Sequence, residues 1–262
     1  MGLLADIQAL AWRLCARRYS TMFGTAKVYV APWENTRVRV LDIDGTYQSA
    51  TFLDENWCEV PFPYLKLYDC VFSANESVRN ICMLGGGGYA FPKHVIATYP
   101  RARIDVVEVD PAITSIAKEH FFLDRLIEEH EAVTSGRLGL ICNDALIYLQ
   151  EVAKAGRTYD AILNDCFAAG NPDISLTTLE ALQTICRCLT KDGLYLTNVI
   201  SALEGSEAQP IIELTESLSC VFSHVYALPC DRAEPNERDN VVVVASKRPA
   251  HIRNAITLFD AL

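Results

Sequence analysis

The residues most able to do chemistry are a run of glycines and a set of carboxylates that follow apolar runs. Gly85, Gly86, Gly87 and Gly88 come directly after the apolar stretch Ile81–Leu84. Glu108 lies about twenty residues past them, at the end of a second apolar stretch, Ile104–Val109. Glycines there allow positive φ and, having no Cβ, let the backbone come close to a ligand. A helix opening near Tyr89 to Pro92 would add unpaired N–H groups and the positive end of its dipole. A carboxylate at Glu108 can accept both hydroxyls of a ribose. Together these features imply a nucleoside-cofactor site that includes Gly85, Gly86, Gly87, Glu108 and the adjoining Val109. "GGGGYA", Gly85 to Ala90, also satisfies the G-x-G-x-x-G/A fingerprint, so a nicotinamide reading stays open at this point.

Acids recur after the next two apolar runs. Asp144, followed by Ala145, comes after Leu138–Cys142, and Asp165 comes after Ala161–Asn164. Taken singly, Asp144 and Asp110 read as helix N-caps. An acid after the second, third and fourth strands is harder to ascribe to capping. A purine amine, a ribose diol and a cationic sulfur would call for such a set of acceptors.

Positioning these residues requires alternating strands and helices. Strands are predicted near Ile81–Leu84, Ile104–Val109, Leu138–Cys142, Ala161–Asn164 and Leu194–Val199. Helices are predicted near Pro92–Thr98, Pro111–His120, Ala145–Ala153 and Leu176–Leu189, the last closed by Lys191-Asp192-Gly193. The alternation implies a parallel sheet with helices on both faces. The apolar runs Val221–Leu228 and Val241–Ala245 are joined by a connection too short for a helical crossover, which predicts an antiparallel pair. The fold class is therefore α/β: a Rossmann-like sheet, mostly parallel with an antiparallel last strand, of the kind found in AdoMet-dependent transferases. That tail disfavours the nicotinamide reading. Ahead of the sheet, Ala26 to Phe72 is rich in β-branched and aromatic residues, with a turn signal at Asp44-Gly45 and a further short β segment after Pro61. Leu3–Tyr19 has apolar residues at helical spacing. The expected organisation is an N-terminal helix over 1–25, a small antiparallel β-hairpin domain over 26–75 and a transferase-type domain over 76–262.

Composition narrows the partners. The 262 residues carry a net charge of −10 and no Lys/Arg run, which argues against nucleic acid and suits a cationic small substrate. No apolar run approaches a membrane span, so no membrane partner is expected. The ten cysteines are scattered through predicted strands and helices and read as small buried hydrophobes in a reducing, cytoplasmic setting. "CRC" at Cys186–Cys188 has no partner cluster with zinc-site spacing, and the five histidines do not cluster, so no metal is expected.

The ordered set "LGGGG…VEVD…NDA…YDAILND", followed by "LTKDGLYLTNV", resembles the spermidine synthase family and its spermidine-synthase-like relatives. "GTYQSA" and "PFPYLK" resemble that family's N-terminal hairpin domain, and the likeness runs from about Thr36 to Ser246. By this resemblance Glu108 holds the ribose of AdoMet or decarboxylated AdoMet, Asp144 the adenine amine, and Gln48 lies beside the sulfonium-bearing chain. Asp165 stands where the family has its catalytic aspartate. Tyr64, Tyr89 and Phe167 are the expected substrate-side residues. The resemblance also implies a homodimer, formed through the N-terminal region.

Three departures bear on the acceptor. The family's G-G-G-D-G-G has Gly88 at its aspartate, its D-[SA]-S-D-P has Ala168 at the second aspartate, and its Tyr-x-Glu becomes Tyr64-Leu65-Lys66. Each carboxylate lost from a buried ammonium weakens binding by roughly 1.5–3 kcal/mol. The expectation is a transferase that moves a methyl or aminopropyl group to a small nucleophile other than putrescine. The alternative is a cofactor-binding protein that has lost its acceptor site.

Overall fold

The computed structural model describes residues 15–168, 171–172, 174–230 and 234–261. It begins with a four-stranded antiparallel sheet in the order β1 (Arg17–Thr21), β2 (Gly24–Trp33), β3 (Thr36–Ile43) and β4 (Thr46–Phe52). Asp44 and Gly45 both have positive φ, 51° and 91°, as the two-residue turn between β3 and β4 requires. The predicted helix over Leu3–Tyr19 is corrected from Arg17 onward, where the chain is strand: Arg17–Thr21 pair antiparallel with β2 residue by residue. Residues 1–14 lie outside the described residues.

The expected β segment after Pro61 is also corrected. The chain forms two short helices there, α1 (Pro63–Leu67) and α2 (Cys70–Ala74). Pro63 occupies the first helical turn, where its missing N–H costs nothing. Leu65, Tyr68 and Val71 then fall on one buried face at helical spacing.

The main sheet has eight strands in the order β14-β12-β13-β11-β8-β5-β6-β7. β5 (Asn80–Leu84), β6 (Arg103–Glu108), β7 (Leu138–Cys142), β8 (Tyr159–Asn164) and β11 (Leu189–Ser201) are parallel, at the predicted places. β13 (Asp239–Ser246) lies antiparallel between β11 and β12 (His224–Pro229), so the antiparallel pair is present. β14 (Ile256–Asp260), an edge strand paired antiparallel to β12, was not predicted. Two-residue strands β9 (Phe167–Ala168) and β10 (Asn171–Pro172) follow β8.

Helices α3 (Ala90–Thr98), α4 (Pro111–His120) and α5 (Leu123–Glu129) pack on one face; α6 (Ala145–Lys154), α7 (Leu179–Cys188) and α8 (Gln209–Ser219) pack on the other. Period-two alternation sorts β5 between the faces: Ile81 and Met83 join the first core, Cys82 and Leu84 the second. The glycine stop predicted at Lys191–Gly193 does not end α7, which stops at Cys188. β11 starts at once and breaks register between Leu189 and Leu194. Cys82 and Cys188 are buried as expected, whereas Cys142 and Cys220 are exposed.

The small sheet docks on the first face through specific contacts. Arg39 in β3 donates to the His120 carbonyl, Tyr19 bonds His120, and the Met22 N–H donates to Asp110 Oδ2 at 2.6 Å. From α3, the fully buried Lys93 reaches Thr51 Oγ1 (2.7 Å) and the Trp57 carbonyl (2.9 Å). Among the described residues no helix is long and apolar enough to cross a membrane.

Candidate active site

The carboxyl ends of β5, β6, β7 and β8 open toward β3, β4 and α1. There the structure forms a cavity of about 260 Å³. Gly85 has φ 88°, and a Cβ on it would come within 2.8 Å of the Asp165 carbonyl, so only glycine lets β5 and β8 end this close together. A Cβ on Gly86 would sit 2.8 Å from the Tyr89 ring. Tyr89 adopts the left-handed conformation, φ 56°, just before α3. That turn sends its ring beneath the glycines, fully buried, where the hydroxyl bonds Thr114 Oγ1 at 3.0 Å. The expected substrate-side role of Tyr89 is corrected accordingly: it supports the loop from behind and is not among the cavity's lining residues.

Glu108 is 6% exposed and holds the loop from the front. Its Oε2 accepts the N–H groups of Gly86 (2.9 Å) and Gly87 (3.3 Å), and its Oε1 accepts that of Asp110 (3.0 Å). Burial pushes the carboxyl above its ordinary range, and these backbone donors pull part of the way back. The sequence marked Glu108 as a ribose acceptor; its second task, ordering the glycine loop, has no sequence signal. Gly85, Gly86, Gly87, Val109, Asp144 and Ala145 line the same cavity.

Asp144 is also an N-cap, its Oδ1 accepting the Ile147 N–H at 2.9 Å, so capping and lining coincide in one side chain. Asp110 caps α4 through the Ala112 N–H at 2.8 Å and is buried, as its position before Pro111 implies. Phe23, Asp44 and Asn143 line the cavity too and were not anticipated as site residues.

A second cavity of about 340 Å³ adjoins the first. Gln48, Tyr64 and Asp165 line both. The second is of the size expected for small-molecule sites, about 300 Å³ and upward, and the first falls just below that range. Asp165 stands at their junction. Its Oδ2 accepts the Tyr64 hydroxyl at 3.1 Å, and its Oδ1 is buried without a hydrogen-bond partner among the described residues. Burial raises the Asp165 carboxyl to about 6, against the opposing pull of the Tyr64, Asn198 and Tyr68 side chains. A buried carboxyl with a raised pKa and one oxygen unpaired among the described residues is equipped to take a proton from a neighbour.

Phe167 follows as part of β9, but its side chain lies outside the described part of the chain. Lys66 is exposed and lines neither cavity. Gly88 is buried, and a Cβ there would lie 2.6 Å from Ser49 Oγ and 2.8 Å from Phe121 Cδ1. The space that the family's aspartate would need is taken.

A parallel sheet with an inserted antiparallel strand, carboxylates at successive strand ends and a glycine loop between them define an AdoMet-type transferase fold. The chain belongs to the spermine/spermidine synthase family, whose domain model matches residues 66–231. A polyamine aminopropyltransferase of Vibrio vulnificus is 27% identical over 154 residues, which cover 59% of this chain and 48% of that protein. The chain thus spans about half the length of this relative. A probable spermidine synthase from Corynebacterium glutamicum shares the fold, with a TM-score of 0.72 and 22% identity over 91% of this chain and 82% of the other. Human Methyltransferase-like protein 13, solved with SAH, shares it at a TM-score of 0.55 and 20% identity, over 75% of this chain and 82% of the other.

Proposed function

We propose that this protein is a sulfonium-dependent alkyl transferase with two adjoining substrate cavities. The first would take AdoMet or decarboxylated AdoMet. Glu108 would hold the ribose, Asp144 and Ala145 the base, and Gln48 the chain that carries the sulfur. That substrate supplies a carbon made electrophilic by positive sulfur, and its leaving thioether is neutral, so no acid catalyst is needed. The second cavity would take the acceptor, a small nucleophile other than putrescine. The acceptor nitrogen gives up a proton to Asp165 and forms a bond to that carbon as the carbon–sulfur bond breaks, its electron pair staying on sulfur. Tyr64 holds Asp165 in position, and the protein's main contribution is alignment of the two reactants.

The observation that carries this reading is the junction: one carboxyl, with one buried oxygen unpaired among the described residues, on a residue that lines two cavities. A binding protein without an acceptor site gains nothing from such an arrangement. The packing around Gly88 supports intact AdoMet beside the decarboxylated form, because no aspartate there repels a carboxylate. The choice between methyl and aminopropyl transfer follows from which form binds. The test is a calorimetric titration with AdoMet, decarboxylated AdoMet and methylthioadenosine, on the wild-type protein and on Glu108→Ala. Preference for intact AdoMet assigns methyl transfer and preference for the decarboxylated form assigns aminopropyl transfer. Failure of all three to bind folded protein removes the reading.

A further inference from the structure

The walls of the second cavity say what the acceptor must be. One side is aromatic: the Trp33 and Phe62 rings lie 5.7 Å apart, and Phe62 stacks on Tyr64 at 6.1 Å. Elsewhere stand Asn198 and Asn240, joined by a 2.9 Å bond from Asn198 Nδ2 to Asn240 Oδ1. Among the described lining residues Asp165 is the sole carboxylate and there is no cation.

Two buried acceptors on residues that line this cavity have no hydrogen-bond partner among the described residues: Asp165 Oδ1 and Asn198 Oδ1, the latter on a residue 3% exposed. Native structures rarely leave such atoms unpaired, so a pair of them in one cavity calls for a ligand that donates hydrogen. An ammonium offers three donors and accepts nothing. The surfaces left over present ring faces, suited to an apolar body. A diamine would place its second ammonium among these rings with no described anion to pair it, sustained only by cation–π attraction.

We propose that the acceptor is a primary monoamine with an apolar or aromatic body, its head at Asp165 and Asn198 and its body against Trp33, Phe62 and Tyr64. The inference rests on the transferase reading above and deepens it, because it specifies the second substrate of that site.

The test separates the two. Full-length protein, with its first cavity filled by methylthioadenosine, is titrated calorimetrically with 2-phenylethylamine and with 1,4-diaminobutane. The expected result is at least tenfold tighter binding of 2-phenylethylamine. Trp33→Leu should weaken that binding at least fivefold. Asn240→Asp, which keeps the acceptor atom for Asn198 and adds a carboxylate, should tighten 1,4-diaminobutane at least fivefold. Neither change should alter the methylthioadenosine titration, which also reports that each variant is folded. Equal or tighter binding of 1,4-diaminobutane by the wild-type protein overturns the inference. Binding of methylthioadenosine with no response to either amine overturns it while leaving the transferase reading in place. Failure of methylthioadenosine, AdoMet and decarboxylated AdoMet alike to bind the folded protein removes both.

Discussion

Replacing Asp165 by asparagine should stabilise the fold while abolishing turnover, and the size of the gain can be worked out. The carboxyl rises from 3.8 to about 6 on folding, chiefly because burial disfavours its charge. In free energy that rise amounts to about 3 kcal/mol against the folded state once the group is ionised. The folded protein holds the proton more tightly than the unfolded chain, so no penalty exists below pH 4. It grows between pH 4 and 6 as the unfolded chain ionises first, and is full above pH 6. Asparagine carries no charge and keeps an oxygen for the Tyr64 hydroxyl, so Asp165→Asn should match the wild type near pH 4 and exceed it by up to about 3 kcal/mol at pH 7. For a chain of this size that is a rise in midpoint of roughly 5–10 °C. Thermal unfolding of both proteins from pH 4 to pH 8 measures the gap. A gap that does not change with pH, or a variant less stable than wild type at pH 7, would refute the account of Asp165 as a strained, proton-accepting carboxyl.

Further outcomes follow from the same contacts. Glu108→Ala removes the carboxylate proposed to accept two ribose hydroxyls and releases the N–H groups of Gly86 and Gly87. At roughly 1.5–3 kcal/mol for each bond to a charged group, nucleoside affinity should fall by about 100-fold or more, read by calorimetry. Gly88→Asp restores the family residue but presses a Cβ to 2.6 Å from Ser49 Oγ. It should cost about 1–3 kcal/mol in denaturant unfolding, partly recovered by Ser49→Gly. Burial draws Lys93 down from 10.5 to about 7, so between those pH values the unfolded chain binds the extra proton and stability should rise with pH. Lys93→Met should flatten that rise in unfolding measured from pH 7 to pH 10.5.

The framework of the site was legible because its signals are local. Apolar runs, glycines and strand-end acids are contiguous in sequence, and they placed β5 to β8, α3, α4 and α6, together with Glu108, Asp144 and Asp165. What sequence missed depends on contacts between distant segments. Whether Tyr89 faces the cavity or the core is decided by the backbone twist at one residue and by Thr114, 25 residues away. The segment after Pro61 holds aromatic residues at spacings that fit either a strand or a short helix, and proline at the first turn settles it. Trp33, Asn198 and Asn240 meet only because β13 inserts between β11 and β12 and because α1 lies above the sheet, an arrangement that no local pattern records.

Where the cavities join, the two halves of the chain meet with unequal freedom. One wall of the first cavity is built on strand ends whose register is set by the eight-strand ladder and by a loop in which a Cβ on Gly85 would strike backbone. The acceptor side draws Trp33, Tyr47, Phe62 and Tyr64 from the small sheet and the segment after it. Exchange of those aromatic residues would reshape the acceptor cavity without disturbing a single ladder bond of the eight-strand sheet. On the proposed reading, such a molecule would keep its alkyl donor for as long as the fold lasts while its choice of acceptor drifted by one side chain at a time.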